Sequence, residues 1–296
     1  MSVVVVSWVL ALLAVFGLNY AHDVVAESRV VRLELERHQL RAWARSGVEL
    51  ARVTLENALP EESSVLSSVG PANIFGQPLP CGEGMFSVGE PTPGRGGEIW
   101  VPGIGDEAAR LPVALADSIT LAALPGMTPH GAQVLLQAIA TAGDNRLPSF
   151  ALLEFLDDAS RACAHRYLSR YGDAVNVNTA SPEVLRAVGL SRSAVNKILV
   201  WRAGRDRVPG TDDDRFFRDL GGEDIGVRAC GFNNEEAAIL AYLHGAGRLG
   251  AASGFFRFAS RSWGDGYRGI CEIRVVMQKM EEGGARVVEW TETWLE

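Results

Sequence analysis

Met1-Ser-Val-Val-Val-Val-Ser-Trp-Val-Leu10-Ala-Leu-Leu-Ala-Val-Phe-Gly-Leu-Asn-Tyr20-Ala-His22 carries no formal charge at neutral pH. Its apolar run, residues 3–18, approaches the roughly 20 residues of a membrane-spanning helix once Asn19, Tyr20 and Ala21 are added. A cleaved secretory signal would place a basic segment ahead of a shorter apolar core and end in a small-residue cleavage site. Nothing basic precedes this run. Arg29, Arg32, Arg37, Arg41 and Arg45 follow it, a bias that on its own would hold the C-terminal bulk in the cytoplasm.

The helical pattern continues past the apolar run. Leu40, Trp43, Ala44, Gly47, Val48, Ala51, Thr54, Leu55 and Ala58 recur at the i, i+3, i+4, i+7 spacing of a helix with one buried face. Residues 23–39 contain neither Pro nor Gly, and Pro60 supplies the stop. The economical prediction is one helix of nearly sixty residues, about 85 Å long. Its first half would face lipid and its second half a folded domain.

At 296 residues, 47% hydrophobic and 22% charged, the chain is ordinary for a folded protein with one membrane segment. A net charge of -8, with Lys197 and Lys279 as the lysines, argues against a nucleic-acid surface. Cys81, Cys163, Cys230 and Cys271 form no CxxC or Cys/His pattern, which excludes a zinc motif. Two disulfides, in any of three pairings, and four buried thiols are both open readings. His22, His38, His130, His165 and His244 are scattered, and no P-loop or nucleophile elbow is present, so no enzymatic activity is expected.

Residues 61–97 are rich in Gly, Pro and Ser and read as loop, with short β pieces at 85–88 and 98–101 forming an edge hairpin. Gly103-Ile-Gly-Asp-Glu-Ala108 superficially matches a dinucleotide fingerprint, but Leu111-Pro112 interrupts the helix that such a site requires. From about Asp117 to Gly247 the pattern is helical with short breaks. Thr128-Pro129 and Ser181-Pro182 are cap-and-first-turn pairs, and Ser191 caps a further helix, so two helix-hairpin-helix units are predicted. Such hairpins bind DNA phosphates in some proteins and are packing units in others. The acidic balance and the absence of a lysine-rich flank favour packing here.

Gly204-Arg-Asp-Arg-Val-Pro-Gly-Thr-Asp-Asp-Asp-Arg215 brings Asp212, Asp213 and Asp214 close to Asp206. The four carboxylates are a candidate hard-oxygen set for Ca²⁺, although the spacing is not that of an EF-hand. The alternative is a solvated acidic turn. Beyond it the period changes to two. Residues 255–262, 267–280 and 286–294 read as three antiparallel strands, with Glu281-Glu-Gly-Gly284 as a hairpin turn. One face of that sheet must be buried, and the long helix carries a matching stripe. The expected fold is therefore α+β: a long N-terminal helix on an antiparallel sheet, with an inserted all-α domain of helix-hairpin-helix, SAM-like units. Four parts are predicted: the transmembrane and amphipathic helix at 1–59, a loop and short β part at 60–105, the helical insertion at 106–248, and the final strands at 249–296.

Three segments resemble the minor pseudopilin K family of type II secretion systems. Ser7-Trp-Val-Leu-Ala-Leu-Leu13 is similar to that family's Leu-Trp-Val-Leu-Ala-Leu-Leu. Val175-Asn-Val-Asn-Thr-Ala-Ser-Pro-Glu-Val-Leu185 resembles its Val-Asn-Val-Asn-Thr-Ala-Pro-x-Glu-Val-Leu, and Ser253-Gly-Phe-Phe-Arg257 its Ser-x-x-Phe-Arg. The resemblance spans essentially the whole chain. It departs at 109–112, where the family carries an Asn-Leu-Asn-like segment. It implies a pilin-like fold and a single-pass protein of the bacterial inner membrane with its C-terminal domain in the periplasm. The implied role is a pseudopilus tip subunit that partners minor pseudopilins I and J, the major pseudopilin and the inner-membrane assembly platform. Family members lose a short basic leader, and aligning Trp8 places Met1 on the first mature residue. Major pseudopilins carry glutamate at the fifth mature residue to neutralise a neighbour's terminal ammonium. Val5 stands there in this chain and cannot form that pair, which suits a subunit with nothing stacked above it. The nearby alternatives are a minor pilin of a type IV pilus and a membrane-anchored helix-hairpin-helix protein of DNA uptake.

Overall fold

The computed structural model describes residues 2–58, 74–94, 97–142, 154–208, 211, 213–222, 224–280 and 283–295. Pro60 and much of the expected 61–97 loop, Asp212, and Glu281 and Glu282 of the expected turn lie outside the described residues. Helix α1 runs unbroken over Ser2–Asn57. The stripe read from the sequence is the face it buries: Leu40, Ala44, Val48, Ala51 and Leu55 are at most 1% exposed, with Trp43 at 9%. Gly47 permits the close approach of helix to sheet, because a Cβ there would lie 2.2 Å from Ser260 Oγ and 2.8 Å from the Phe86 ring. The Ser262 hydroxyl donates to the Leu40 carbonyl at 2.6 Å, and Arg41 pairs with Glu292 at 2.6 Å, fixing the helix along the sheet.

That sheet is antiparallel, in the order β1 (Leu79–Cys81), β2 (Gly84–Gly94), β9 (Phe255–Gly264), β10 (Ile270–Lys279), β11 (Ala285–Leu295). Strand β3 (Gly97–Pro102) pairs with β2, and β4 (Gly105–Asp106) with β9. The three C-terminal strands match the period-two reading. The hairpin expected in the middle of the chain is present as β2 and β3, but β2 is an interior strand lying between β1 and β9. Residues 84–89 of β2 pair with β9, and 89–94 with β3. Glycine and proline disguised this eleven-residue strand. Gly89 is required there because a Cβ would lie 2.6 Å from both the Trp100 ring and the Val101 carbonyl. Phe86 and Val88 complete the core beneath α1 with Ile104, Phe256, Phe258, Ile273 and Met277.

Between β4 and β9 the chain is mainly helical: α2 (Ser118–Ala122), α3 (Pro129–Ala142), α4 (Asp158–Tyr167), α5 (Pro182–Val188), α6 (Arg192–Arg202), α7 (Ile225–Ala229) and α8 (Asn234–Gly245). It builds a second apolar cluster from Leu111, Leu121, Leu135, Val177, Leu185, Ile198, Phe217 and Leu240 among others. The expected all-α insertion also holds two short parallel β pairs. β5 (Leu111–Pro112) pairs with β6 (Leu168–Ser169), and β7 (Val175–Asn176) with β8 (Leu249–Gly250). The first pair ties the start of the insertion to its middle and the second ties its middle to its end, satisfying backbone groups there. All four cysteines are free; burial raises the Cys163 and Cys271 thiols to about 11 and Cys230 to about 12.

Candidate assembly surface

Two features stand out: a helix whose first half touches nothing, and a buried polar joint that braces the insertion against the sheet. Val5 is 62% exposed, Trp8 69%, Phe16 64% and Leu18 72%. Removing one large apolar side chain from water is worth about 1.5–3 kcal/mol, so a whole turn-by-turn apolar surface of this kind demands a lipid or protein environment. The helix is long and apolar enough to cross a membrane. Val5 sits in the exposed run with no charged group of its own to offer a neighbour.

The joint is built on two adjacent carboxylates, Asp106 and Glu107, that the sequence pattern marked only as a weak dinucleotide-like segment. Both are buried. Asp106 accepts hydrogen bonds from Asn176 Nδ2 at 2.8 Å, Thr179 Oγ1 at 2.5 Å and the Ala108 amide at 2.8 Å. Burial raises its pKa, and these bonds with that of Ser253 oppose the rise. Asn178 closes a second loop: its Nδ2 donates to the carbonyls of Phe217 and Ala251, at 2.9 and 2.8 Å, and its Oδ1 accepts from the Phe217 amide at 2.7 Å. The Asn178 amide in turn donates to Asn176 Oδ1 at 3.0 Å. The 175–185 segment thus has a physical reason for its residue types: Asn176 and Thr179 clasp the sheet side, Asn178 clasps the helical side, and Ser181 caps α5.

Glu107 faces the sheet's outer side. It accepts from Ser169 Oγ at 3.1 Å and Arg257 Nη1 at 3.2 Å. Arg257 also pairs with Glu90, which Arg110 approaches at 3.5 Å. Desolvation raises Glu107 to about 7 against the pull of Arg257. A cavity of about 670 Å³ lies beside this network, between the outer face of the sheet and residues 164–171.

At the predicted hairpins the helix N-termini are capped by side chains, while Pro129, His130, Ser191 and Arg192 at those ends are exposed. Thr128 Oγ1 bonds Asp157 at 2.8 Å, Ser160 Oγ at 2.9 Å and the Gly131 amide at 3.0 Å, as its predicted cap role requires. The Ser160 amide and hydroxyl and Thr128 hold Asp157 down at about 2. Beside the second unit, Lys197 Nζ pairs with Glu236 at 2.6 Å, and Ser193 also bonds that carboxylate. A carboxylate therefore stands beside each hairpin.

The acidic loop is tied to its own backbone. Asp213 Oδ2 accepts from the amides of Arg205 and Asp206, Asp213 Oδ1 from Thr211 at 2.8 Å, and Asp206 Oδ1 from the Val208 amide at 2.8 Å. Asp214 lies by the half-buried Arg202 guanidinium. Among the described residues no group of three or more His, Cys, Asp or Glu is arranged to hold a metal ion. His244 lies 3.4 Å from Asp219, and burial lowers the pKa of His165.

One solved structure bears on these features. A chain of the GspK-GspI-GspJ complex of the type 2 secretion system of enterotoxigenic Escherichia coli is similar in fold, with a TM-score of 0.56 and 13% identity. The similarity covers 89% of this chain and 99% of that one. No family model matches the sequence, and neither does any curated protein.

Proposed function

We propose that the chain is a minor pseudopilin of a type II protein secretion system: a non-enzymatic tip subunit that initiates and caps the pseudopilus with minor pseudopilins I and J. The carrying observation is the division of α1 into an exposed apolar half and a half packed on an antiparallel sheet, within a fold that parallels a chain of the GspK-GspI-GspJ complex over nearly its full length. A membrane holds the exposed half before assembly, and neighbouring helices hold it afterwards. The insertion at 106–248 makes the subunit bulky for a filament wall, and Val5 lacks the carboxylate that would neutralise a subunit above it. Both favour the tip.

The same reading puts the protein in the inner membrane with its C-terminal domain in the periplasm, and includes contacts with the major pseudopilin and the assembly platform. The carboxylates Asp157 and Glu236 beside the hairpins favour packing over phosphate binding, so nucleic acid is not among the proposed partners. Ca²⁺ held by Asp206, Asp212, Asp213 and Asp214 belongs to the proposal as a stabilising ion of that loop. A calcium-dependent rise in melting temperature supports it, and indifference to both calcium and chelator removes it.

The test of the main reading is co-purification of the full chain in detergent with I and J homologues. A stable complex that excludes the major pseudopilin supports a tip role. Separation of the chain from both partners removes it.

A further inference from the structure

β11 is the terminal strand of the sheet, paired with β10 on one side and with no described strand on the other. Eleven residues of main chain run along that edge, and its side chains are half-buried or exposed throughout. An edge of this length is a template for another strand unless it is blocked. β11 contains no proline or lysine, and one register shift, opposite Val276 and Met277, interrupts its pairing.

The helix-side flank of the edge is basic, in a chain whose net charge is -8, and the two glutamates of β11, Glu289 and Glu292, are each paired with an arginine. On the helix side, Arg37, Arg41 and Arg45 are spaced one turn apart. Arg37 and Arg41 stand over Trp294 at 5.6 and 5.8 Å, and Arg45 over Trp290 at 5.9 Å. Arg41 is paired with Glu292, whereas Arg37 and Arg45 form no ion pair among the described residues. On the outer side, Arg170 lies 3.7 Å from Glu289 at the cavity beside the sheet. Successive side chains of a strand point to opposite faces. A strand added to β11 would therefore send alternate side chains toward the helix row and toward Arg170.

We propose that β11 is a docking edge for an extended acidic segment of a neighbouring pseudopilus subunit, which adds to the sheet as a further strand with its helix-side carboxylates facing Arg37 and Arg45. A second copy of this chain fits less well, since pairing β11 with itself would bring two rows of Arg37, Arg41 and Arg45 together. The inference rests on the assembly reading above for the identity of the partner, but the edge itself is testable without it.

The experiment is hydrogen exchange of the β11 amides in the full chain in detergent, alone, with the I and J homologues, and with a synthetic peptide alternating Thr and Glu. Slowed exchange confined to β11 and its neighbours is expected with the peptide and with the partner. The double variant Arg37→Glu/Arg45→Glu, checked for an unchanged melting temperature, should weaken peptide binding about tenfold or more at low salt. A partner complex that leaves β11 exchange unchanged overturns the proposal, as does a peptide that protects nothing. Protection by the peptide with no complex of I and J upholds the edge and removes the assembly reading instead.

Discussion

Asp106 and Glu107 are neighbours in sequence and differ in what holds them. Asp106 is surrounded by donors, so removing its carboxylate strands the buried Asn176 side-chain amide and Ala108 N–H and the half-buried Thr179 hydroxyl. Asp106→Ala should destabilise the fold by about 2–4 kcal/mol, read as a fall of several degrees in melting temperature. An unchanged melting temperature would show that the joint carries no stability. Glu107 depends on pH. Burial raises its folded pKa to about 7 from an ordinary 4.5, so the folded state binds its proton more tightly than the unfolded state does. The associated stability is full below about pH 4.5 and is lost as pH rises through 7, a change of up to about 3 kcal/mol. Melting temperatures of the wild type and of Glu107→Gln, compared from pH 4.5 to 8.5, should diverge, with the wild type losing more at the alkaline end. Parallel curves would contradict the assignment. Neither role was legible in the sequence, because nothing local tells a carboxylate clasped 70 residues away by Asn176 from one facing water. The partner half was legible as a pattern: the 175–185 segment stood out by its residue types before their bonds were known.

Among the elements, α1 was readable almost to the residue, since a stripe of period 3.6 survives whatever covers it. The helix caps at Thr128, Ser181 and Ser191 were equally plain, being short-range chemistry. β2 was not, because Gly84, Gly89, Pro91, Pro93 and Gly94 are turn residues by local propensity, held in a strand here by pairing with β1, β3 and β9 and, at Gly84 and Gly89, by close packing. The closest of these contacts predict how tightly helix and sheet are matched. Gly47→Val forces α1 away from Ser260 and Phe86 and should cost about 1–3 kcal/mol or more. Gly17→Ala, where a Cβ would meet nothing within 4 Å, should leave the melting temperature of the detergent-solubilised chain within about 1 °C. Equal effects of the two substitutions would mean that α1 does not lie on the sheet as described.

For the whole molecule, the exposed half of α1 and the folded remainder are separable in their energetics: among the described residues, 5–35 contribute nothing to either buried apolar cluster. A chain beginning at Glu27 should therefore melt within about 2 °C of the full chain and remain in the aqueous phase, whereas the full chain should require detergent. The sequence already implied this division and the α+β layout. It did not reveal how the insertion is fastened, since the parallel pairs β5–β6 and β7–β8 are two residues each and leave no periodicity to read. The proposed tip role requires one copy of this subunit beside one each of the I and J homologues. Native mass spectrometry of the full chain mixed with the I and J homologues in detergent tests that claim most directly. The account predicts one mass, containing one copy of each of the three chains. Three separate masses, or this chain incorporated in many copies with the major pseudopilin, would contradict it.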